Sequence, residues 1–360
     1  MASLEQDVSG YEDWLRDQCK VVEPDLREKH ERMQKSAFVF LRATYFRWAR
    51  TIEHVCPGLQ DAPRVLCVGD THVENYGTWR DGDGRQVWGL NDFDEAAVMP
   101  YPYDLIRLVA SATLSGRLDV DPQGAAGAVL EGYAGGLHAP GPALLEQGAS
   151  WFRRLVGKLA DETDEFWKDL ADLEDVEPPR KVRRSLRRSF PDGAAVCRFV
   201  TRRKGAGGLG RPRYLAIADW QGGHLVREAR AIVPSAWSWA HPESSPRPRA
   251  LDVAYGRYRA PDASLRIAGR FLLRRIAPES RKLDLEEVAR RGLGVTLLEA
   301  MGREIGAIHA AHRRGSMIDQ DLARRGPDWL HAAATLAAAA VESDHAHWCS
   351  VVETFDRSRS

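Results

Sequence analysis

The chain is poor in cysteine, with five among 360 residues: Cys19, Cys56, Cys67, Cys197 and Cys349. The number is odd, the spacing is scattered and no Cys-x-x-Cys pair occurs. A disulfide framework or thiolate zinc site is therefore not expected, and a reducing compartment fits. Long apolar runs are also missing. None approaches the roughly 20 residues that span a bilayer, so no membrane partner is expected. The sequence opens polar and acidic, with Glu5 and Asp7, unlike a secretory signal, and the expected location is cytoplasmic. Net charge is absent too, since 51 Lys and Arg balance 51 Asp and Glu. Nothing in that balance calls for nucleic acid as a partner. The one basic run, residues 181–188, reads as the solvated face of a helix. What is present is an ordinary soluble composition, 44% hydrophobic and 28% charged, in a chain long enough for two lobes.

Residues 24–52 read as helical, with Ser36 capping a segment in which Phe38, Leu41, Tyr45 and Trp48 recur at helical spacing. A short buried strand follows at 65–68, broken by Gly69 and Asp70. A hairpin comes next, 75–79 and 86–90, around the turn Asp81, Gly82, Asp83, Gly84. Helical patterns cover 103–118 and much of 123–189. Near Ala194 the character changes to strand-like runs at 195–201, 213–218, 225–229 and 265–276, the pattern of a small antiparallel sheet. Residues 241–249, with Pro242, Pro246 and Pro248, read as a loop. Helical patterns return from about Leu283, including 297–312 and 329–341.

The sharpest motif runs from Gly69 to Asn75 and continues after the hairpin at Asn91, Asp92, Phe93 and Asp94. Its core is D-x-x-x-x-N, a hairpin, then D-F-D. Phosphoryl transfer from ATP uses such a set. One carboxylate orients the attacking hydroxyl, while an amide and a carboxylate hold magnesium against the phosphates. Asp70 is the expected base or orienter, and Asn75, Asp92 and Asp94 offer the hard oxygens magnesium prefers. The plainer alternative makes Asp70 and Asp92 turn residues of a hairpin. A strand ending in Gly69, Asp70 and His72 also opens binuclear-metal phosphoesterases. The Gly-Asn-His and Gly-His-x-His runs those enzymes need are absent, and His309 and His312 fall on an expected helix.

A second motif, Gly205, Gly207 and Gly210, spells G-x-G-x-x-G. A dinucleotide fold needs such glycines to open a helix. Here they lie between two strands, the arrangement that lays backbone amides over ATP phosphates. The next strand carries Arg227, with Leu225 and Ala229 on its face, and that face is expected to meet the phosphates with Arg227 paired to Asp92. Arg230 is a weaker choice for the same role. Asp104, at a helix start, is expected to cap that helix, to hydrogen-bond the loop after the first strand, or both.

These residues resemble the bacterial domain-of-unknown-function family 2252, placed near the protein-kinase-like superfamily. The resemblance rests on residues 35–42, 69–77, 91–96, 103–108, 205–214, 227–229, 234–237, 273–275 and 302–309. The Gly69–Asn75 run is also similar to that of aminoglycoside phosphotransferases. The resemblance implies an α+β, protein-kinase-like two-lobe fold. Its glycine loop follows the catalytic loop, where kinases have it first, so a circular permutation is implied. The expected parts are a helical lobe from 1–190 and 279–360 and a small β-rich lobe from 191–278. The expected activity is ATP- and Mg2+-dependent phosphotransfer to a small-molecule acceptor. Asp70, Asn75 and Asp92 would be catalytic, Asn75, Asp92 and Asp94 would hold metal, and Gly205, Gly207, Gly210 and Arg227 would hold phosphates. Arg227 stands where kinases carry Lys, and that exchange is not conservative. The glutamate that should pair with it is open: Glu228 points to the other face and Glu243 lies in the loop. A nucleotide-binding pseudokinase with a regulatory role and a metal-dependent phosphoesterase are the alternatives.

Overall fold

The computed structural model describes residues 2–145, 161–203, 207–312 and 315–358. The chain is α+β. Four helices begin it: α1 (Leu4–Gln18), α2 (Glu23–Met33), α3 (Ala37–Ala43) and α4 (Tyr45–Val55). Ser3 and Gln6 form a capping box at α1, and the Ser36 hydroxyl accepts the Val39 N–H at α3. The continuous 24–52 pattern is thus three helices. At Thr44 the side chain turns back to donate to the Phe40 carbonyl, where α3 gives way to α4.

Strand β1 (Arg64–Cys67) pairs antiparallel with β4 (Ala97–Pro100). Between them stands the hairpin of β2 (Tyr76–Arg80) and β3 (Gln86–Leu90), with Tyr76 opposite Leu90. Asp81 fastens its turn by accepting the N–H groups of Asp83 and Arg85. Helices α5 (Pro102–Ser115) and α6 (Pro122–His138) follow, and β5 (Ala143–Leu144) pairs with β3.

After α7 (Asp161–Ala171) and α8 (Arg180–Arg187) comes a five-stranded antiparallel sheet. Its strands are β6 (Ala195–Thr201), β7 (Arg213–Trp220), β8 (Gly223–Ala231), β9 (Arg266–Ala268) and β10 (Phe271–Ile276), in the order β6-β7-β8-β10-β9. The 265–276 run is therefore two strands, and Gly269, at a φ of 62°, turns the chain between them. Helices α9 (Ala236–Ala240) and α10 (Ala250–Ala254) lie between β8 and β9. The last helices are α11 (Leu285–Arg290), α12 (Gly294–Ala310), α13 (Gly315–Arg324) and α14 (Trp329–Ser358).

Both faces of this sheet are covered. Val182, Leu186 and Phe190, on and just beyond α8, pack on Ala216, Ala218, Ala229 and Leu273. On the other face Leu170 of α7 packs with Val200, Leu215, Val226 and Ile276. A much larger apolar core joins the N-terminal helices, β1 to β4 and α12 to α14. Ile232, Trp237 and Val253, from the 191–278 segment, pack into that core rather than against the sheet.

Two supports matter for the site. Helices α6 and α12 meet along Gly132, Gly136, Gly302 and Gly306, and a Cβ on Gly132 would run into the Glu299 carbonyl. Helix α2 is tied to the C-terminal helix. His30 sits between Glu12 (Nε2 to Oε1, 2.6 Å) and Asp356 (Nδ1 to Oδ1, 2.6 Å), and the Trp348 indole donates to the His30 carbonyl at 3.2 Å. Among the described residues, no helix is long and apolar enough to cross a membrane.

Candidate functional site

The chain leaves β1 through Gly69, whose φ is 86°. A Cβ there would overlap the Glu95 carbonyl, so the turn requires glycine on both counts. Asp104, buried in the first turn of α5, fixes this turn. Its two oxygens accept the N–H groups of Val68 and Gly69, each at 2.8 Å, and its carbonyl accepts the Thr71 hydroxyl. It makes no cap for α5 itself. Behind it, His309 of α12 lies 3.2 Å from Asp104 Oδ2 and 3.0 Å from the Tyr133 hydroxyl. The Cys67 sulfur is close by, its thiol pushed well up by burial. These donors are engaged with each other and with the backbone, so the cluster braces the loop.

Asp70 projects from the loop so held. Its Oδ1 accepts two hydrogen bonds from Arg107, from Nε at 2.9 Å and Nη2 at 2.6 Å. Arg107 is fully buried, lies between the ring faces of Tyr45 and Trp48 at 4.9 Å each, and also donates to the Leu41 carbonyl. Oδ2 lies 4.0 Å from the His72 imidazole and, among the described residues, accepts no hydrogen bond. Burial pushes the Asp70 carboxyl up while Arg107 opposes it. Burial, with Arg42 and Lys282, holds His72 well below its ordinary range and so neutral. Asn75 joins the two halves of the motif. Its Nδ2 donates to the carbonyls of Asp70 and Asp92, and its Oδ1 accepts the Asp92 N–H at 3.1 Å.

The cation that meets Asp92 is Arg230. Its Nη1 and Nη2 bind the two oxygens of Asp92 at 2.9 and 3.0 Å, and Nη2 also binds Asp94 at 2.6 Å. Burial works against an ionised Asp92, yet the Arg230 fork holds the carboxyl far below its usual range. Asp94 is pushed up by burial and by Asp92 beside it, against Arg230. Arg211 reaches Asp94, Glu95 and the Tyr11 hydroxyl.

Arg227 is not in this group, which corrects the reading from the strand pattern. Its Nε donates to the Ser189 carbonyl and its guanidinium lies 5.2 Å from the Phe190 ring, on the face covered by α8. Leu225 and Ala229 are on that same face. The opposite face, with Val226, Glu228 and Arg230, meets the loops of Asp70 and Asp92. Glu228 pairs with Arg274 at 2.5 Å and with Arg213 at 3.7 Å. Burial raises its carboxyl, but these arginines and Arg230 hold it down to about 2. Glu243 is exposed in its loop.

The glycines divide. Gly205 lies outside the described residues. Gly207 and Gly208 line the same cavity as Asp70, Asp92 and Arg230. A Cβ on Gly207 would stand 2.8 Å from the Arg42 carbonyl oxygen and 3.7 Å from Asp70 Oδ2. Gly210, at a φ of 88°, turns away and rests on Leu26 of α2, and its carbonyl accepts the Val22 N–H at 2.9 Å. It is thus a seat for the loop rather than a phosphate contact. The cavity is about 780 Å³ and is lined by thirteen Lys and Arg against eight Asp and Glu. On a chain with no net charge, the cavity lining thus carries more positive than negative groups.

Residues 21–137 match the family model described as an uncharacterized protein conserved in bacteria (DUF2252). No curated protein and no solved structure matches the chain. The matched segment carries Asp70, Asn75, Asp92, Asp94, Asp104 and Arg107, while the glycine loop and Arg230 lie beyond it. Asn75, Asp92 and Asp94 form an all-oxygen donor set, the type magnesium takes. The side chain of Asp92 is 43% exposed; its Oδ1 also accepts the Asp94 N–H at 3.4 Å, while its Oδ2 keeps a lone pair beyond its bond to Arg230. The donor set therefore fits a hard divalent cation. The sequence reading missed Arg107 and Arg211. Arg107 was within reach, because it stands three residues after Asp104 on an expected helix and so shares its face.

Proposed function

We propose that the cavity binds a nucleoside triphosphate such as ATP with magnesium and transfers its terminal phosphoryl group to the hydroxyl of a small-molecule acceptor. In this reading the chain is a kinase-like protein of two lobes with its elements in permuted order. One observation carries it: Arg230 of the five-stranded sheet binds Asp92 and Asp94 of the D-F-D turn, while Gly207 of that sheet's glycine loop comes beside Asp70. Two motifs far apart in sequence thus share one cation-rich cavity, as phosphoryl transfer requires. Asp70, pinned through Oδ1 by Arg107, keeps Oδ2 for the acceptor hydroxyl and orients it toward the phosphorus. The acceptor oxygen bonds to the terminal phosphorus, the bond to the bridging oxygen breaks, the nucleoside diphosphate leaves, and the hydroxyl proton passes to Asp70 Oδ2. Arg230, Arg213 and Arg274 offer charge to the phosphates. Magnesium, held by Asp92, Asp94 and the Asn75 carbonyl oxygen, would supply charge neutralisation at the phosphates.

The test is thermal unfolding with ATP and magnesium, singly and together. A ligand that binds only the folded chain raises the melting temperature, so the pair should raise it more than ATP alone, and Asp92→Asn should remove the difference. No shift at millimolar ATP ends the proposal. A second reading, a nucleotide-binding pseudokinase, draws on the arginines that neutralise both Asp70 and Asp92. Asp70→Asn separates the two. An enzyme loses turnover by orders of magnitude with ATP affinity nearly kept, whereas a pseudokinase has no turnover to lose.

A further inference from the structure

Helix α2 reaches the cavity from the N-terminal helices, and one of its faces meets the chain on either side of the glycine motif. Asp25 pairs with Arg203, just ahead of the loop, at 2.8 Å. Leu26 lies against Gly210 at the loop's far end. One turn on from Asp25, on the same face, Lys29 lines the cavity.

Lys29 is only 4% exposed. Among the described residues its ammonium has no ion pair and no hydrogen bond. Its neighbours are the faces of Tyr11 and Phe46, at 5.7 and 5.4 Å, two rings stacked on each other at 4.5 Å. The nearby carboxylates are committed elsewhere. Glu12 is taken by His30, Glu95 by Arg211, Ser235 and the Ala236 N–H, and Asp70 through Oδ1 by Arg107. A buried ammonium without a counter-ion is costly, and two ring faces offset only part of that cost. Burial pushes the group down to about 8, which leaves it mostly charged at neutral pH. The five strands of the sheet contain no lysine.

We propose that Lys29 is a phosphate-binding residue of the cavity, its ammonium engaging the terminal phosphate of a polyphosphate chain that lies beside Gly207 and Gly208. This rests on the function proposed above and deepens it. The point charge that the strand does not supply comes from a helix at the other end of the sequence. The ligand class it selects is an anion with a free terminal phosphate.

The probe is inorganic tripolyphosphate, titrated calorimetrically into the full chain without metal. Lys29→Met keeps the stem over the two rings and removes the charge. The variant should bind at least tenfold more weakly than the wild type, with a melting temperature no lower. In the wild type, saturating tripolyphosphate should also slow acetylation of Lys29, read by peptide mass spectrometry, and this arm needs no variant to fold. If the wild type binds both tripolyphosphate and ATP while Lys29→Met binds tripolyphosphate within twofold of it, or Lys29 is acetylated at the same rate with and without tripolyphosphate, the role of Lys29 falls and the function stands. If the wild type binds neither, both fall.

Discussion

Arg230→Met removes the guanidinium that bridges Asp92 and Asp94. Arg230 and Asp94 have side chains only 4% and 8% exposed, and breaking a buried pair by deleting one partner costs about 3–5 kcal/mol. Asp92 is far more open, so its share is that of a surface pair, under about 1 kcal/mol. Asp94, already pushed up by burial and by Asp92, takes up a proton in the variant and recovers part of the loss. The expected destabilisation at pH 7 is therefore near the lower figure, about 3 kcal/mol. A carboxyl raised in the folded state adds stability below its folded pKa, so the deficit against wild type should shrink as the pH falls toward 5. Magnesium should restore some of the loss by standing in for the lost charge. At ten times its Kd the gain is about 1.4 kcal/mol. Urea unfolding followed by tryptophan fluorescence, at both pH values and with and without magnesium, reads all three effects. A deficit below about 1 kcal/mol, or a magnesium response no larger than that of the wild type, would refute the view that Arg230 occupies a cation position between the two carboxylates.

Asp104→Ala strands the buried N–H groups of Val68 and Gly69, each worth about 1–3 kcal/mol when left unpaired. Urea unfolding should show a loss of roughly 3 kcal/mol or more, and the ATP-induced thermal shift should weaken with it; an unchanged shift would mean the loop holds its shape without Asp104. Gly132→Ala should cost about 1–3 kcal/mol by forcing α6 from α12, and a gain in stability, as helix propensity alone would give, would show that the helices part freely.

Much of this was legible in the sequence because local chemistry dictated it. The Asp81 to Gly84 turn could only close a hairpin, and D-x-x-x-x-N followed by D-F-D leaves few ways to arrange three polar groups around it. The strands of the sheet were visible for the same reason. What alternation could not give was its phase. Leu225, Arg227 and Ala229 share a face, and Val226, Glu228 and Arg230 share the other, but both faces carry an arginine and both are covered. Only the packing of Val182 and Leu186 on Ala229 decides which side is left for the cavity. Arg107 and Lys29 were hidden differently: each acts from inside a helix, at a position whose partner or lack of one depends on distant chain.

The tie between His30, Asp356 and Trp348 has an engineering consequence. Helix α2 carries the seat of the glycine loop at Leu26 and is anchored to the last helix one turn on, at His30. The loop and the C-terminal helix are therefore mechanically in series, with α2 as the link. Shortening the chain before Trp348, or fusing a bulky tag that pulls the last turns from their place, cuts the anchor of that link rather than trimming a bystander. An expression vector that reads as harmless at the carboxyl end would then yield folded protein with a slack glycine loop, and its failure to bind nucleotide would say nothing about the native chain.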